Sequence, residues 1–158
     1  MNRIDESKPF KPVNIAVLTV SDTRTLATDT SGATLVERIA RDGHVLADRG
    51  IVIDDIALIR AHVKKWIDDP AIEVVITTGG TGVTGRDVTP EALEGLFEKR
   101  IEGFGETFRW ISFQKIGTST MQSRATAGVA RRPITIPYLT ESRIRGIIPS
   151  APGEGQAG

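Results

Sequence analysis

Three dense apolar runs set the frame of the chain: NIAVLTVSD at 14–22, the more irregular HVLADRGIVI at 44–53 and IEVVITT at 72–78. Near-continuous runs of β-branched and aliphatic residues read as strands buried on both faces, the pattern of a parallel sheet; a half-exposed strand would alternate. Between these runs the period lengthens to that of a helix. Leu35, Val36, Ile39 and Ala40 share one helical face, with Asp29, Thr30 and Ser31 offering capping oxygens before it and Gly43 a stop after it. Asp54 or Asp55 caps a second helix carrying Ile56, Ile59, Val63, Trp66 and Ile67, with Pro70 just beyond its end. Thr89-Pro90-Glu91 opens a third, combining a cap, a proline in the first turn and an acid at the positive end of the helix dipole.

This alternation of strand and helix predicts an α/β fold, a three-layer α/β/α sandwich with a mainly parallel sheet. Further along, 106–114 and 118–130 read as helical, and ITIPYL at 134–139 as an edge strand, because Pro137 cannot donate to a ladder. Residues 1–12 read as a flexible lead, 13–140 as a single α/β domain, and 141–158 as an atypical, disordered tail.

Composition narrows the field without naming a function. Twenty basic and twenty acidic residues leave no net charge, which argues against a nucleic-acid partner. No apolar stretch nears the roughly 18 residues that cross a bilayer, and the polar start MNRIDESKPFKP lacks a signal-peptide core. The absence of cysteine excludes disulfides and thiolate chemistry, and a cytoplasmic setting is the simplest expectation. His44 and His62 have no metal-ligand spacing and read as structural or surface residues.

The chemistry concentrates in VVITTGGTGVTGRDVTPEAL at 74–93. Gly80, Gly82 and Gly85 match a dinucleotide fingerprint in spacing, but the loop follows the third strand, not the first. A phosphate loop would carry Lys-Ser/Thr where this chain has Arg86-Asp87. Glycines at the carboxyl end of a buried strand still let backbone N–H groups approach an anion, and Asp87 is placed to hold a divalent cation against a phosphate. The alternative is a tight turn with Asp87 as its local cap. Ser21-Asp22 after the first strand, Asp29-Thr30-Ser31-Gly32 at the first helix, and Asp54-Asp55 after the second strand reach the same sheet edge. Each alone reads as a plain cap; their convergence points to a site.

The segments DTSG (29–32), TGGTGVTGRDVTPEA (78–92), EGFGETFR (102–109) and IGTSTMQSRATAGVA (116–130) resemble, in order and spacing, the molybdenum cofactor biosynthesis proteins of the MoaB/MogA family, and more closely its MoaB-like branch. The resemblance implies a molybdopterin-binding-domain fold assembled as a homotrimer or homohexamer. In active members it implies Mg2+-dependent transfer of AMP from ATP to molybdopterin. By the same resemblance Gly79, Gly80, Thr81 and Gly82 line the pterin-phosphate site. Asp87 is the first choice for the catalytic, Mg2+-linked residue and Asp54 the second. Glu106 is a candidate partner of the pterin ring, and Ser119 and Ser123 of ligand oxygens. An adenylyltransferase and a non-catalytic molybdopterin-binding or assembly protein, partnered by proteins of the same pathway, both remain open at this point.

Overall fold

The computed structural model describes residues 7 and 9–130. Within them, β1 (Asn14–Val20) is the middle strand of a parallel sheet, flanked by β2 (Val45–Val52) and β3 (Val74–Thr78) in the order β2-β1-β3. The helices are α1 (Thr30–Arg41), α2 (Ile56–Ile67), α3 (Thr89–Glu94) and α4 (Glu102–Ile116).

The central place of β1 explains its apolar run, because alternate side chains feed two separate cores. Ile15 and Val17 pack with Val13, Ile39 of α1 and, around them, Leu35, Val74 and Ile76. Ala16, Leu18 and Val20 pack on the other face with Ile59, Val63 and Trp66 of α2 and with Ala92 and Leu93 of α3. Each fully buried Val, Leu or Ile contributes about 1.5–3 kcal/mol. Helices on both faces make the expected three layers.

The irregularity of β2 has a physical origin. The ladder pairs Ile15 with Leu46 but Ala16 with Asp48, so Ala47 is an extra residue, a bulge. Beyond it Asp48 accepts the indole N–H of Trp66 at 2.9 Å, which satisfies the polar atom of a side chain only 1% exposed. Arg49 points the opposite way, to Asp29 at the start of α1.

Two expectations change. Residues 118–130 are not a helix: a 3-10 helix covers Gly117–Gln122, and the chain then extends into β5 (Gly128–Ala130), antiparallel to β4 (Phe97–Arg100), a strand the sequence reading did not anticipate. Tertiary partners outcompete helix here. Ile101 N–H bonds the Ala127 carbonyl, Arg124 N–H bonds the Thr81 carbonyl, and Gly128 lies so close to Phe97 that a Cβ would stand 2.3 Å from its ring. The helix at 106–114 is present but longer, as α4. In addition, Thr89 is not the cap of α3. Val88 takes that position without a side-chain bond, and the Thr89 hydroxyl turns back to the Gly79 carbonyl. Part of the lead, the strand expected at 134–139 and the tail at 141–158 lie outside the described residues.

Candidate functional site

The parallel ladder brings Val20, Val52 and Thr78, the last residues of the three strands, to one edge. The connection from β2 to β3 steps over β1, and α1 and α2 lie on opposite faces, so the β1/β3 boundary is where strand order reverses. Ligands of open α/β sheets bind outside that boundary. The glycine loop begins there.

Two of its residues need to be glycine. Gly79 has φ +98°, and a Cβ on it would stand 2.1 Å from the Val20 carbonyl oxygen. Gly80 has φ +66°, and its Cβ would meet Thr89 Oγ1 at 2.3 Å and Asp54 Oδ1 at 2.8 Å. The loop carbonyls turn into the protein. Buried Thr89 donates its hydroxyl to Gly79 at 2.9 Å and its N–H to Gly80 at 3.0 Å. Arg124 donates its N–H to Thr81 at 2.8 Å, Nε to Gly82 at 2.7 Å and Nη2 to Asp87 at 2.6 Å, while Nη1 pairs with Glu91. Among the described residues no group accepts a hydrogen bond from the Gly80 or Thr81 N–H. Carbonyls directed inward with N–H groups left over are the makings of an anion-binding concavity.

The carboxylates surround the same segment. Asp54 Oδ1 approaches Gly80, and Asp87 Oδ2 lies 2.8 Å from where a Gly82 Cβ would be. Desolvation, and after it the negative charges of Asp22 and Asp87, raise the Asp54 carboxyl above its ordinary range, with Arg86 opposing. Asp22 behaves in the opposite way. It accepts both Nε and Nη2 of Arg86 through Oδ2, and the Asp54 N–H through Oδ1 at 3.1 Å, and these bonds lower it. Asp87 is lowered chiefly by the Thr84 hydroxyl at 2.6 Å, with the Thr84 N–H at 3.0 Å adding to the effect. Asp87 therefore does cap a local turn, as the alternative reading held, while staying in the cluster at the loop. A recess of about 410 Å³ opens beside it, lined by Val83, Thr84, Gly85, Asp87, Val88, Glu91 and Arg124.

The remaining candidates do not all gather here. The Asp29 carboxylate is enclosed. Oδ1 accepts Gly32 N–H at 2.9 Å as the cap of α1, and Oδ2 accepts the Thr19 hydroxyl at 2.6 Å and Arg49 Nη2 at 3.0 Å. At 3% exposure and with those partners, it supports the fold beneath the site rather than facing it. Ser21 Oγ closes a turn by accepting the Thr23 and Arg24 N–H groups. Ser31 is exposed in the first turn of α1. Glu106 is exposed on α4 and Ser119 on the 3-10 helix, whereas Ser123 is half-buried and accepts the Ala125 N–H at 3.4 Å. His44 is buried and accepts the Val13 N–H through Nδ1, and His62 packs edge-on against Trp66, structural places for both.

Sequence reasoning brought Asp22 to this edge with Ser21 but not as the partner of Arg86, and it missed Thr89 as an anchor of the loop. Asp22 had a signal in its position directly after β1, one residue beyond Ser21. Thr89 had none, because a threonine before a proline reads first as a cap.

What the site can hold follows from its donors. Asp54 and Asp87 supply oxygen ligands only, and among the described residues no group of three or more acidic or histidine side chains is arranged to enclose a metal alone. One or two carboxylates completed by phosphate oxygens is the usual mode for Mg2+, so these residues fit that ion together with a phosphorylated ligand.

Comparison with known proteins gives the family. A family described as a probable molybdopterin binding domain matches residues 16–152. Molybdenum cofactor biosynthesis protein B of Escherichia coli strain K12 is 49% identical over 128 residues, covering 81% of this chain and 75% of that one. A crystal structure of molybdenum cofactor biosynthesis protein B superposes with TM-score 0.74 at 44% identity, covering 78% of this chain and 77% of the other. The tungsten cofactor synthesizing protein MoaB from Pyrococcus furiosus gives TM-score 0.69 at 35% identity, covering 79% and 78%. Glycine loop, sheet edge and sequence thus converge: the chain belongs to the probable molybdopterin binding domain family.

Proposed function

We propose that this protein serves molybdenum cofactor biosynthesis by binding molybdopterin at the glycine loop and adenylylating it with Mg2+ and ATP. The observation that carries the proposal is the placement of Asp54 and Asp87 beside Gly80 and Gly82, next to the N–H groups of Gly80 and Thr81, for which the described residues offer no acceptor. Those amides receive the molybdopterin phosphate, and Gly79 gives the backbone its close approach to the end of β1.

In the reaction a phosphate oxygen of molybdopterin attacks the α-phosphorus of ATP. A new P–O bond forms, the bond to the β-phosphate oxygen breaks, and pyrophosphate leaves with its electron pair. Bound Mg2+ supplies charge neutralisation for the assembled phosphates, and Asp87 with Asp54 would hold it. The attacking phosphate is already ionised near neutral pH, so neither carboxylate is needed as a strong base. The loop's part is positioning and electrostatics. Arg86 is paired with Asp22 at the rim of the carboxylate cluster.

A second reading, molybdopterin binding without turnover, is supported by the MoaB-type motifs TGVTGRD and IGTSTMQSRA and by relatives named protein B. Magnesium-dependent AMP transfer to molybdopterin separates the two. Turnover that Asp87→Asn abolishes supports the adenylyltransferase; saturable binding without turnover selects the second reading. Homotrimeric or homohexameric assembly belongs to the same proposal, supported by the exposed apolar side chains of Trp110, Phe113 and Ile116 on α4.

A further inference from the structure

We infer that Arg124 is a positioning residue of the glycine loop, the side chain that holds the backbone of the segment from Thr81 to Asp87 in its ligand-receptive form, while Asp22 holds only the Arg86 side chain. Its importance for binding rests on the molybdopterin reading above.

Residues 81–87 leave the sheet edge, run past Gly82 and Gly85, and return to α3. Within this stretch the cross-links of its own all run through Asp87, whose carboxylate accepts from Thr84 and the Gly82 N–H and whose N–H bonds the Thr84 carbonyl. Val83, Thr84, Gly85 and Arg86 are exposed, and a Cβ on Gly85 would touch nothing within 4 Å. Such a loop has no core of its own to order it.

Arg124 supplies the missing restraint. One residue, 37 to 43 positions away in sequence, bonds three loop carbonyls: Thr81 through its N–H, Gly82 through Nε and Asp87 through Nη2. The planar guanidinium reaches Gly82 and Asp87 together because its donors are fixed in a fork, which a lysine ammonium on a flexible stem does not reproduce. Glu91 on α3 holds the remaining Nη1, which sets the fork's orientation. Directing the Thr81, Gly82 and Asp87 carbonyls to Arg124 fixes the orientation of those peptide units beside the Gly80 and Thr81 N–H groups. It also fixes the Asp87 backbone, and so the place from which its carboxylate reaches the cluster. Arg124 acts through the loop, with its nitrogens engaged by protein.

The test pairs hydrogen exchange with ligand binding in Arg124→Lys. The Thr84 and Asp87 amides should exchange about tenfold faster while those of β1 and β3 keep their wild-type rates, because the change opens a local unit. The molybdopterin Kd should rise by a similar factor, at unchanged thermal midpoint. Weaker binding with an unchanged loop would overturn the inference, since Arg124 would then touch the ligand itself. An unchanged Kd despite a loosened loop, or no change in either, also overturns it. If the wild-type chain binds no molybdopterin yet the substitution loosens the loop, the functional proposal falls and the positioning role stands. If Arg124→Lys loosens β1 and β3 as well, Glu91→Gln decides, because it weakens only the anchor of the fork. Faster exchange confined to the loop supports the inference, and unchanged exchange rejects it.

Discussion

Replacing Asp29 by alanine tests whether that acid belongs to the fold or to the ligand. In the structure it does three things at once: it caps α1 through Gly32, receives the buried Thr19 hydroxyl and pairs with Arg49. Loss of the cap costs about 1 kcal/mol. An unsatisfied Thr19 hydroxyl, 4% exposed as a residue, adds about 1–3 kcal/mol. Arg49, with its side chain 22% exposed, loses its partner in a poorly solvated position. Together these place Asp29→Ala in the range of about 3–5 kcal/mol found when one partner of a buried ion pair is removed. With a urea dependence of roughly 2 kcal/mol per molar, the unfolding midpoint should fall by about 2 M. Asp29→Asn keeps a good cap but not the charge and should lose about half as much. The pH dependence carries its own sign. Desolvation pushes the Asp29 carboxyl up, but the bonds from Thr19, Gly32 and Arg49 outweigh it, and its folded value lies below the ordinary one. A depressed carboxyl stabilises above the unfolded value of about 3.9 and loses that contribution as pH falls through the folded value. The gap between wild type and Asp29→Asn should therefore be full at pH 7 and close below about pH 4. An unchanged urea midpoint for Asp29→Ala, with molybdopterin affinity lost instead, would refute the reasoning and return Asp29 to the ligand.

Gly79→Ala should destabilise by more than about 2 kcal/mol in urea unfolding, because positive φ and a clash with a backbone oxygen act together. Gly85→Ala, with open space around it, should stay within about 0.5 kcal/mol of wild type. Asp54 is raised by desolvation and by two like charges, so its ionised form costs stability, increasingly as pH rises through the folded value. Asp54→Asn should then raise the thermal midpoint of the ligand-free protein at neutral pH while abolishing Mg2+-dependent turnover; a lowered midpoint would count against this electrostatic account. Trp66→Phe keeps the ring in the core but leaves Asp48 without its indole donor, and calorimetry should show a loss of about 1–2 kcal/mol.

The chain displays its architecture unevenly. The buried parallel strands were legible because β1 must satisfy two cores at once and therefore contains an uninterrupted apolar run. The caps at Asp29 and Asp55 and the stop at Gly43 were legible because their chemistry is local. Residues 117–130 were not, since their conformation follows from partners distant in sequence: Thr81, Arg109, Phe97 and Ile101. The site divides in the same way. Gly79, Gly80, Asp54 and Asp87 follow strand ends, and topology alone delivers them to one edge. Asp29 also lies toward that edge, but a sequence cannot reveal that Arg49 and Thr19 consume its carboxylate. The clamp by Arg124 depends on a fold-back that no periodicity encodes.

The most direct test of the central claim is hydrogen exchange at the glycine loop during titration of the purified chain with molybdopterin. The account predicts saturable binding, one ligand per chain, with protection rising at the Gly80 and Thr81 amides. Saturable binding that leaves those amides unprotected, or no saturable binding at all, would contradict it.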